Sequence, residues 1–348
     1  MSLFADLGMR YPIIQAPMAG VQNTELAMAV TRAGALGSLP AAMLSTAELR
    51  KALELLATSG PGPFNINFFC HRQSEPDPVE ELRWREALAP YYAEFGVDAR
   101  AETTAPGRAP FNAEHATLLG EFRPAVVSFH FGLPAPELLA RVKATGASVF
   151  ASATTVAEAQ WLARHGADAI IAQGLEAGGH RGHFLSQDLG LQQGTFTLLP
   201  QIVAAVDLPV IAAGGIVDGK GIKAALALGA SAVQMGTAFL CCHEATTSPL
   251  HRAALQVAHG QHTALTNLFS GRPARGIVNR LMRELGPLSA LPPDFPHASG
   301  ALAPLRATAE KLGDSGFSPL WAGQNVSGCR SLAAAELIAA WVAEADLA

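Results

Sequence analysis

Charge is scarce in this chain: only 15% of its 348 residues are Asp, Glu, Lys or Arg, the formal net charge is -5, and no run of like charges occurs. Nucleic acids and anionic membranes are bound through basic clusters, so neither is an expected partner, and any ligand must be recognised by local groups. Cysteine is equally sparse. Cys70, Cys241, Cys242 and Cys329 form no CxxC or Cys/His spacing suited to zinc, and adjacent cysteines rarely pair, so no metal is expected and the thiols read as reduced, in a cytoplasm. The start, MSLFADLGMRYPIIQAP, lacks the basic segment, apolar stretch and small-residue cleavage site of a secretory signal. The longest uncharged stretch, Ala224 to Cys242, has the length of a membrane span, but Gly229, Ser231, Gln234, Gly236 and Thr237 interrupt it. It reads as helix, turn and buried strand.

Apolar residues are abundant, at 49%, together with 33 Gly and 23 Pro, which supplies a large core and many tight turns. Short β-branched runs recur at fairly regular intervals, each followed by a longer Ala/Leu-rich segment with helical spacing. That is the pattern of βα units around a parallel sheet. Eight such runs occur: Pro12 to Pro17, Leu36 to Pro40, Phe64 to Phe69, Ala125 to Phe131, Ser148 to Ala153, Ala169 to Gly174, Pro209 to Gly215 and Ala232 to Phe239. Helices are expected between them, as at Thr24 to Gly34, Thr155 to Gly166 and Asp218 to Gly229, opened by Ser, Thr or Asp and closed by Gly. The fold class implied is a (β/α)8 TIM barrel with an additional, mainly helical subdomain. A doubly wound open sheet is the rival, but eight strands and the absence of a GxGxxG turn after the first count against it.

Two stretches break the rhythm. Residues 74–110, rich in Pro, Glu, Arg and aromatics, fit a helical excursion after strand three. Residues 241–317 are proline-punctuated with no strong strand and fit a helical subdomain over the barrel mouth. The expected organisation is therefore a barrel over 1–240 with the excursion inserted, the subdomain over 241–317, and a C-terminal return to the barrel over 318–348 that contains a final helix, Ser331 to Leu347.

Ligands of such barrels bind at the C-terminal ends of the strands, so a residue at a strand end matters more than its type. Strand one ends in Ala16-Pro17-Met18-Ala19-Gly20, small enough for a flat ring to approach the backbone. Asn65 and Asn67 in FNINFF share one face of strand three by the two-residue period. With Gln173 ending strand six and Gln234 in strand eight, they are four buried-strand amides on three different strands that converge only if a polar ligand fills the axis. Gly214 and Gly215 end strand seven, and Gln234-Met235-Gly236-Thr237 runs through strand eight. Bare backbone N–H groups in turns at these two places form the usual phosphate site of a barrel. The loop Gln173-Gly-Leu-Glu-Ala-Gly-Gly-His180-Arg181-Gly-His183 frees His180 to point into the mouth, where an imidazole can exchange a proton near neutral pH. His130, in SFHFGLP at the end of strand four, is the second histidine so placed, and could equally be a satisfied wall residue.

Taken together, QAPMAG, FNINFF, SFHFGLP, AQGLEAGGHRG, AAGGI, AVQMGTAF, GRPARGIVN and SPLWAGQ resemble the nitronate monooxygenase family, formerly 2-nitropropane dioxygenases, from about Tyr11 to Gln324. SFHFGLP and AGGHRG resemble its class I branch. The resemblance implies non-covalent FMN and oxidation of nitronates by O2 to a carbonyl compound and nitrite, through a flavin semiquinone and without nicotinamide. It implies FMN contacts from Asn67, Gln173, Gly178, Gly215, Gln234, Met235, Gly236 and Thr237, with Pro17 and Met18 along the isoalloxazine. His180 matches the family's active-site histidine. Class I pockets often carry tyrosines from the second domain, whereas this chain has only Tyr11, Tyr91 and Tyr92, none after strand eight, so substrate preference does not carry over. A substrate such as propionate-3-nitronate would want a cation for its carboxylate, and Arg181, Arg272 and Arg275 are candidates, each also readable as structural. Flavin-dependent enoyl-ACP reductases share AGGH and GRPxR, and related barrels are NADH:quinone reductases, so an NAD(P)H-dependent reductase is the alternative. A non-catalytic barrel binding a phosphorylated ligand is the distant one.

Overall fold

The computed structural model describes every residue except 1–2, 59, 61, 99–107, 258–261 and 348, so parts of the expected excursion and subdomain lie outside the described residues. Eleven strands lie among the described residues: β1 Ile13–Gln15, β2 Gly37–Pro40, β3 Phe64–Phe69, β4 Val126–His130, β5 Ser148–Ala153, β6 Ala169–Gln173, β7 Gly179–His180, β8 Val210–Ala213, β9 Ala232–Met235, β10 Thr263–Thr266 and β11 Ala274–Ile277. All except β7, β10 and β11 form one parallel sheet in the order β1-β9-β8-β6-β5-β4-β3-β2. A parallel bridge between Ile14 and Leu36 joins its two edges, which closes the (β/α)8 barrel that the sequence implies. The helices between strands start where the sequence supplies an oxygen to the first turn. Asn23, Thr155 and Asp218 accept from the backbone N–H of Glu25, Glu158 and Gly221 and open the helices Thr24–Arg32, Val156–Arg164 and Gly219–Ala227.

Side-chain alternation along the strands decides what is core and what is site. In β6, Ile170 and Ala172 pack outward against the surrounding helices, Ala169 and Ile171 fill the barrel axis, and Gln173 is the next inward position. In β3, Ile66 and Phe68 pack outward and leave Asn65, Asn67 and Phe69 facing in. The lower half of the axis is apolar, filled by Ile14, Leu36, Val126, Phe150, Ile211 and Ala232 and stoppered by Phe4 from an N-terminal helix, its ring 6.0 Å from that of Phe150. The upper half is polar and open.

The accessory body is assembled from two distant stretches. The helix Pro78–Phe95 packs against Ala298–Lys311 and Phe317, burying Trp84, Leu88, Tyr91 and Tyr92 with Leu302 and Leu305. Trp84 Nε1 donates to the Ala298 carbonyl at 3.0 Å, Tyr92 Oη to that of Ala301 at 2.7 Å, and Arg280 pairs with Glu94 at 2.6 Å. The stretch 241–317 is not strandless as its sequence suggests. β10 and β11 pair antiparallel, and β11 pairs antiparallel with β7, so a three-stranded sheet ties the accessory body to the loop after β6. The final helix, Ala334–Glu344, returns to the barrel and buries Trp341 against Phe239 and the helix Gly219–Ala227.

Trp84 is fully buried and hydrogen-bonded across the seam of the accessory body. Trp84→Ala should lower stability by about 3–5 kcal/mol in urea unfolding; a change below about 1 kcal/mol would show that this seam does not hold the body together.

Candidate active site

A cavity opens at the C-terminal ends of the barrel strands, beneath the accessory body. From β1 come Ala16, Pro17 and Met18; from β3, Asn67 and Phe69; from β4, Ser128 and His130; from β6 and its loop, Gln173, Gly178 and His180; from β8, Gly214 and Gly215; from β9, Gln234, Gly236 and Thr237. Ten of the eleven predicted contact residues thus line one cavity, together with His180 and His130. Met235 is the exception: its position in β9 points it outward into the core between barrel and helices, where it is buried. Asn65 lies one inward step deeper than Asn67, donates to Ser38 Oγ at 3.0 Å, and does not reach the cavity wall.

The β8 and β9 ends form a cradle of bare donors. Gly214 and Gly215 have φ of 122° and 75°, conformations that glycine adopts without a Cβ clash. Among the described residues the amides of Gly215, Gly236 and Thr237 donate to no protein acceptor. Among the described residues the side-chain amide of Gln234, which faces the cavity, and the Oδ1 of Asn67 also have no partner, while Asn67 Nδ2 donates to Ser128 Oγ at 3.0 Å. A Cβ on Gly236 would stand 3.3 Å from Ala16 Cβ and 3.5 Å from Met18 Sδ, so the glycine keeps the gap between β9 and the Pro17–Met18 turn open. That turn is held by a buried amide network. Gln22 Oε1 accepts from Gln15 Nε2 and from the Met18 amide, both at 2.7 Å, and Gln15 Oε1 accepts from the Ser38 amide at 3.0 Å.

On the other side stands His180, in β7. Its Nε2 lies 2.8 Å from Ser270 Oγ, its Nδ1 has no partner among the described residues, and the rings of Phe69, Phe131, Phe295 and Trp321 surround it at centroid distances of 5.5–6.2 Å. Its carbonyl accepts from Gln173 Nε2 at 2.9 Å and meets His130 Nε2 at 3.1 Å. A carbonyl only accepts, so His130 Nε2 carries the ring proton and its Nδ1 accepts from Ser152 Oγ at 3.0 Å. Both His130 nitrogens are therefore used in the wall, and burial pushes its pKa down to about 3. Burial also drives His180 well below the usual histidine range, with the nearby Arg108, His130, Arg272 and His71 adding to the shift. The ring is neutral at neutral pH.

The three arginines named from sequence are anchors, each in a different way. Arg181 is fully buried and gives its guanidinium to Gln192 Oε1 at 2.7 Å, the Gly174 carbonyl at 2.9 Å and the Gln173 carbonyl at 3.0 Å. Arg275 donates to the carbonyls of Leu175 and Thr263 at 2.8 and 3.2 Å. Arg272 donates to the His183 carbonyl and lies 4.0 Å from the Phe131 ring centroid. None of them lines the cavity; Arg108 does. Sequence reasoning also missed Ser270, Phe295 and Trp321, which belong to the accessory body or its return. Trp321 stands in SPLWAGQ, and the next residues dock on the barrel ends: Gly323 N donates to Thr237 Oγ1 and Gln324 N to the Glu176 carbonyl, both at 2.9 Å.

A closed parallel barrel with an unpaired amide cradle facing an enclosed imidazole defines an enzyme of the cofactor-binding barrel class. The chain belongs to the nitronate monooxygenase family, whose model matches residues 2–344, and it is an oxidoreductase. It is 43% identical over 97% of both chains to a nitronate monooxygenase of Pseudomonas aeruginosa. Among solved structures it resembles nitroalkane oxidase from Streptomyces ansochromogenes, with a TM-score of 0.89 and 39% identity over 99% of this chain and 98% of that one. It also resembles FabK from Thermotoga maritima, with a TM-score of 0.72 and 27% identity over 99% and 96%.

Besides His130 and His180, burial lowers His71, His183 and His251 from 6.5 to about 4. The unfolded chain binds protons on these groups at higher pH than the fold does, so their contribution to stability falls as pH drops below about 6.5. Thermal melts from about pH 8 to 5 should show this decline, and a constant Tm down to about pH 5 would contradict it.

Proposed function

We propose that this protein is an FMN-dependent nitronate monooxygenase, oxidising alkyl nitronates such as propionate-3-nitronate with O2 to a carbonyl compound and nitrite, with no nicotinamide. The observation that carries the reading is the pairing of the bare amides of Gly215, Gly236 and Thr237 with the boxed imidazole of His180 across one cavity. Uncharged donors on glycine turns suit a phosphate, and the Oδ1 of Asn67 and the side-chain amide of Gln234 suit the polar edge of a flavin. Pro17, Met18 and Gly178 supply the remaining wall. When bound, FMN supplies the electron acceptance that no side chain here can perform.

The protein's own part is to place the substrate and set the field. Ser270 Oγ lies 3.3 Å from the Arg272 carbonyl, which can take its hydroxyl hydrogen. His180 Nε2–H then donates to Ser270, and Nδ1 presents a lone pair to the cavity. That lone pair can receive the α-proton of a nitroalkane. An imidazole held so far below its ordinary pKa is a weak base, which favours substrates that arrive already deprotonated. The guanidinium groups of Arg108 and Arg272, which oppose protonation of His180, favour such an anion electrostatically. Phe69, Phe131, Phe295 and Trp321 keep bulk water from it. His130 and Gln173 hold the His180 backbone in place.

The likeness to FabK favours a second reading, an NAD(P)H-dependent flavin reductase of the enoyl-ACP or quinone reductase type. Oxygen uptake with nitrite release from propionate-3-nitronate, in the absence of nicotinamide, is expected of the purified yellow protein. A yellow protein inert to nitronates and bleached anaerobically by NADH would establish the reductase instead. His180→Ala should keep its flavin and lose about 100-fold or more in turnover of neutral nitroalkanes, with a smaller loss on nitronates; unchanged turnover of nitroalkanes would remove His180 from the role. Gly215→Val places a branched side chain at φ 75° and in the cradle, and should yield colourless protein. Full flavin occupancy in that variant would contradict the cradle.

A further inference from the structure

Arg108 is the one Lys or Arg among the described residues that line the cavity. Its backbone is hydrogen-bonded to His71, but its guanidinium makes no hydrogen bond or ion pair with any described residue, in contrast to those of Arg181, Arg272 and Arg275. Its Cζ stands 5.9 Å from the Phe295 ring centroid, and that ring is 5.5 Å from His180. The residues after it return to the end of β3, where the Phe111 amide donates to the Phe69 carbonyl at 2.8 Å. In the barrel ring β3 is four strands from β8, diametrically across the mouth from the glycine cradle. The guanidinium therefore serves the substrate side of the cavity rather than a phosphate in that cradle.

An arginine in this position is a half-made interaction. Burial and the nearby Arg306 lower its pKa, yet a guanidinium stays charged in a protein, and a largely buried charge without a partner is costly. Glu176, the acidic side chain on the cavity wall, is spent on Thr195, accepting from its amide at 2.8 Å and its hydroxyl at 2.9 Å. What would complete Arg108 is an anion brought in by the ligand, and a planar fork of donors matches a carboxylate.

Building on the nitronate reading, we propose that Arg108 is a specificity-determining residue: it pairs with a carboxylate at the far end of the substrate, selecting carboxylate-bearing nitronates over those with plain alkyl tails. His180 then meets the nitro end while Arg108 holds the tail, and the substrate is fixed at two points.

The test compares the native protein with Arg108→Met, which keeps the stem, and Arg108→Lys, which keeps the charge. Oxygen uptake is measured with propionate-3-nitronate and with propyl-1-nitronate. In Arg108→Met the ratio of kcat/KM for the carboxylated to the plain substrate should fall about 10- to 100-fold, the worth of a charged hydrogen bond, with partial recovery in Arg108→Lys. An unchanged ratio, whether both activities fall together or neither moves, overturns the assignment. A second measurement needs no turnover: succinate titrated into the flavin-loaded protein should perturb the flavin absorbance, and the perturbation should vanish in Arg108→Met. If the native protein oxidises neither nitronate, the proposed function fails, and the titration alone then decides for or against Arg108.

Discussion

The mouth of this barrel depends on one side-chain amide. Gln173 closes β6 pointing inward, and its two ends grip the chain on the far side of the glycine loop, donating to the His180 carbonyl and accepting from the Gly182 amide at 2.8 Å. Arg181, between those two contacts, turns back to cap the carbonyls of Gln173 and Gly174. The loop therefore closes on the strand it leaves, and a segment that glycine would otherwise leave loose holds an imidazole at a fixed place. A polar cluster of this kind is costly to break, because each group removed leaves a buried partner unpaired.

Around that fixed point the two bodies divide the labour. The barrel supplies uncharged donors on rigid strand ends, and the accessory body supplies aromatic walls, Ser270 and the antiparallel partner of β7. The electrostatics are asymmetric in a useful way. One side of the cavity offers amide dipoles beside a Glu176 carboxylate already occupied by Thr195, while near His180 positive charge is concentrated in a place from which water is largely excluded, where its effect is greatest. The same charge that denies His180 a proton favours a ligand that has already lost one.

Much of this was legible in the sequence because parallel strands covered on both faces are short apolar runs, and turns announce them with Gly and Pro. The two-residue period also found Asn67, Gln173 and Gln234, since an amide in such a run has few reasons to be there. The same rule turns Met235 outward, although it lies within the AVQMGTAF run whose neighbours face the cavity. β10 and β11 were not legible: TALT and ARGI are short and only weakly patterned, and they exist as strands because β7 gives them a neighbour. The arginines were not legible either. Arg181 and Arg275 are satisfied by main-chain carbonyls in turns, and a sequence does not show where carbonyls point. Arg108 follows a long excursion, and only the return of the chain to β3 brings it to the cavity.

The pairing of β7 with β11 also sets an order of assembly. His180, whose imidazole faces the cavity, has its sheet partner about 95 residues further along the chain, and the helix Pro78–Phe95 waits still longer for Ala298–Lys311. As the chain leaves the ribosome, all eight barrel strands can close before any of these partners exists. The barrel strands thus come first, and the cavity around His180 is completed later. The last third of the chain completes both bodies, since it brings the walls around His180 and also the helix Ala334–Glu344, which seats Trp341 in the barrel's own core.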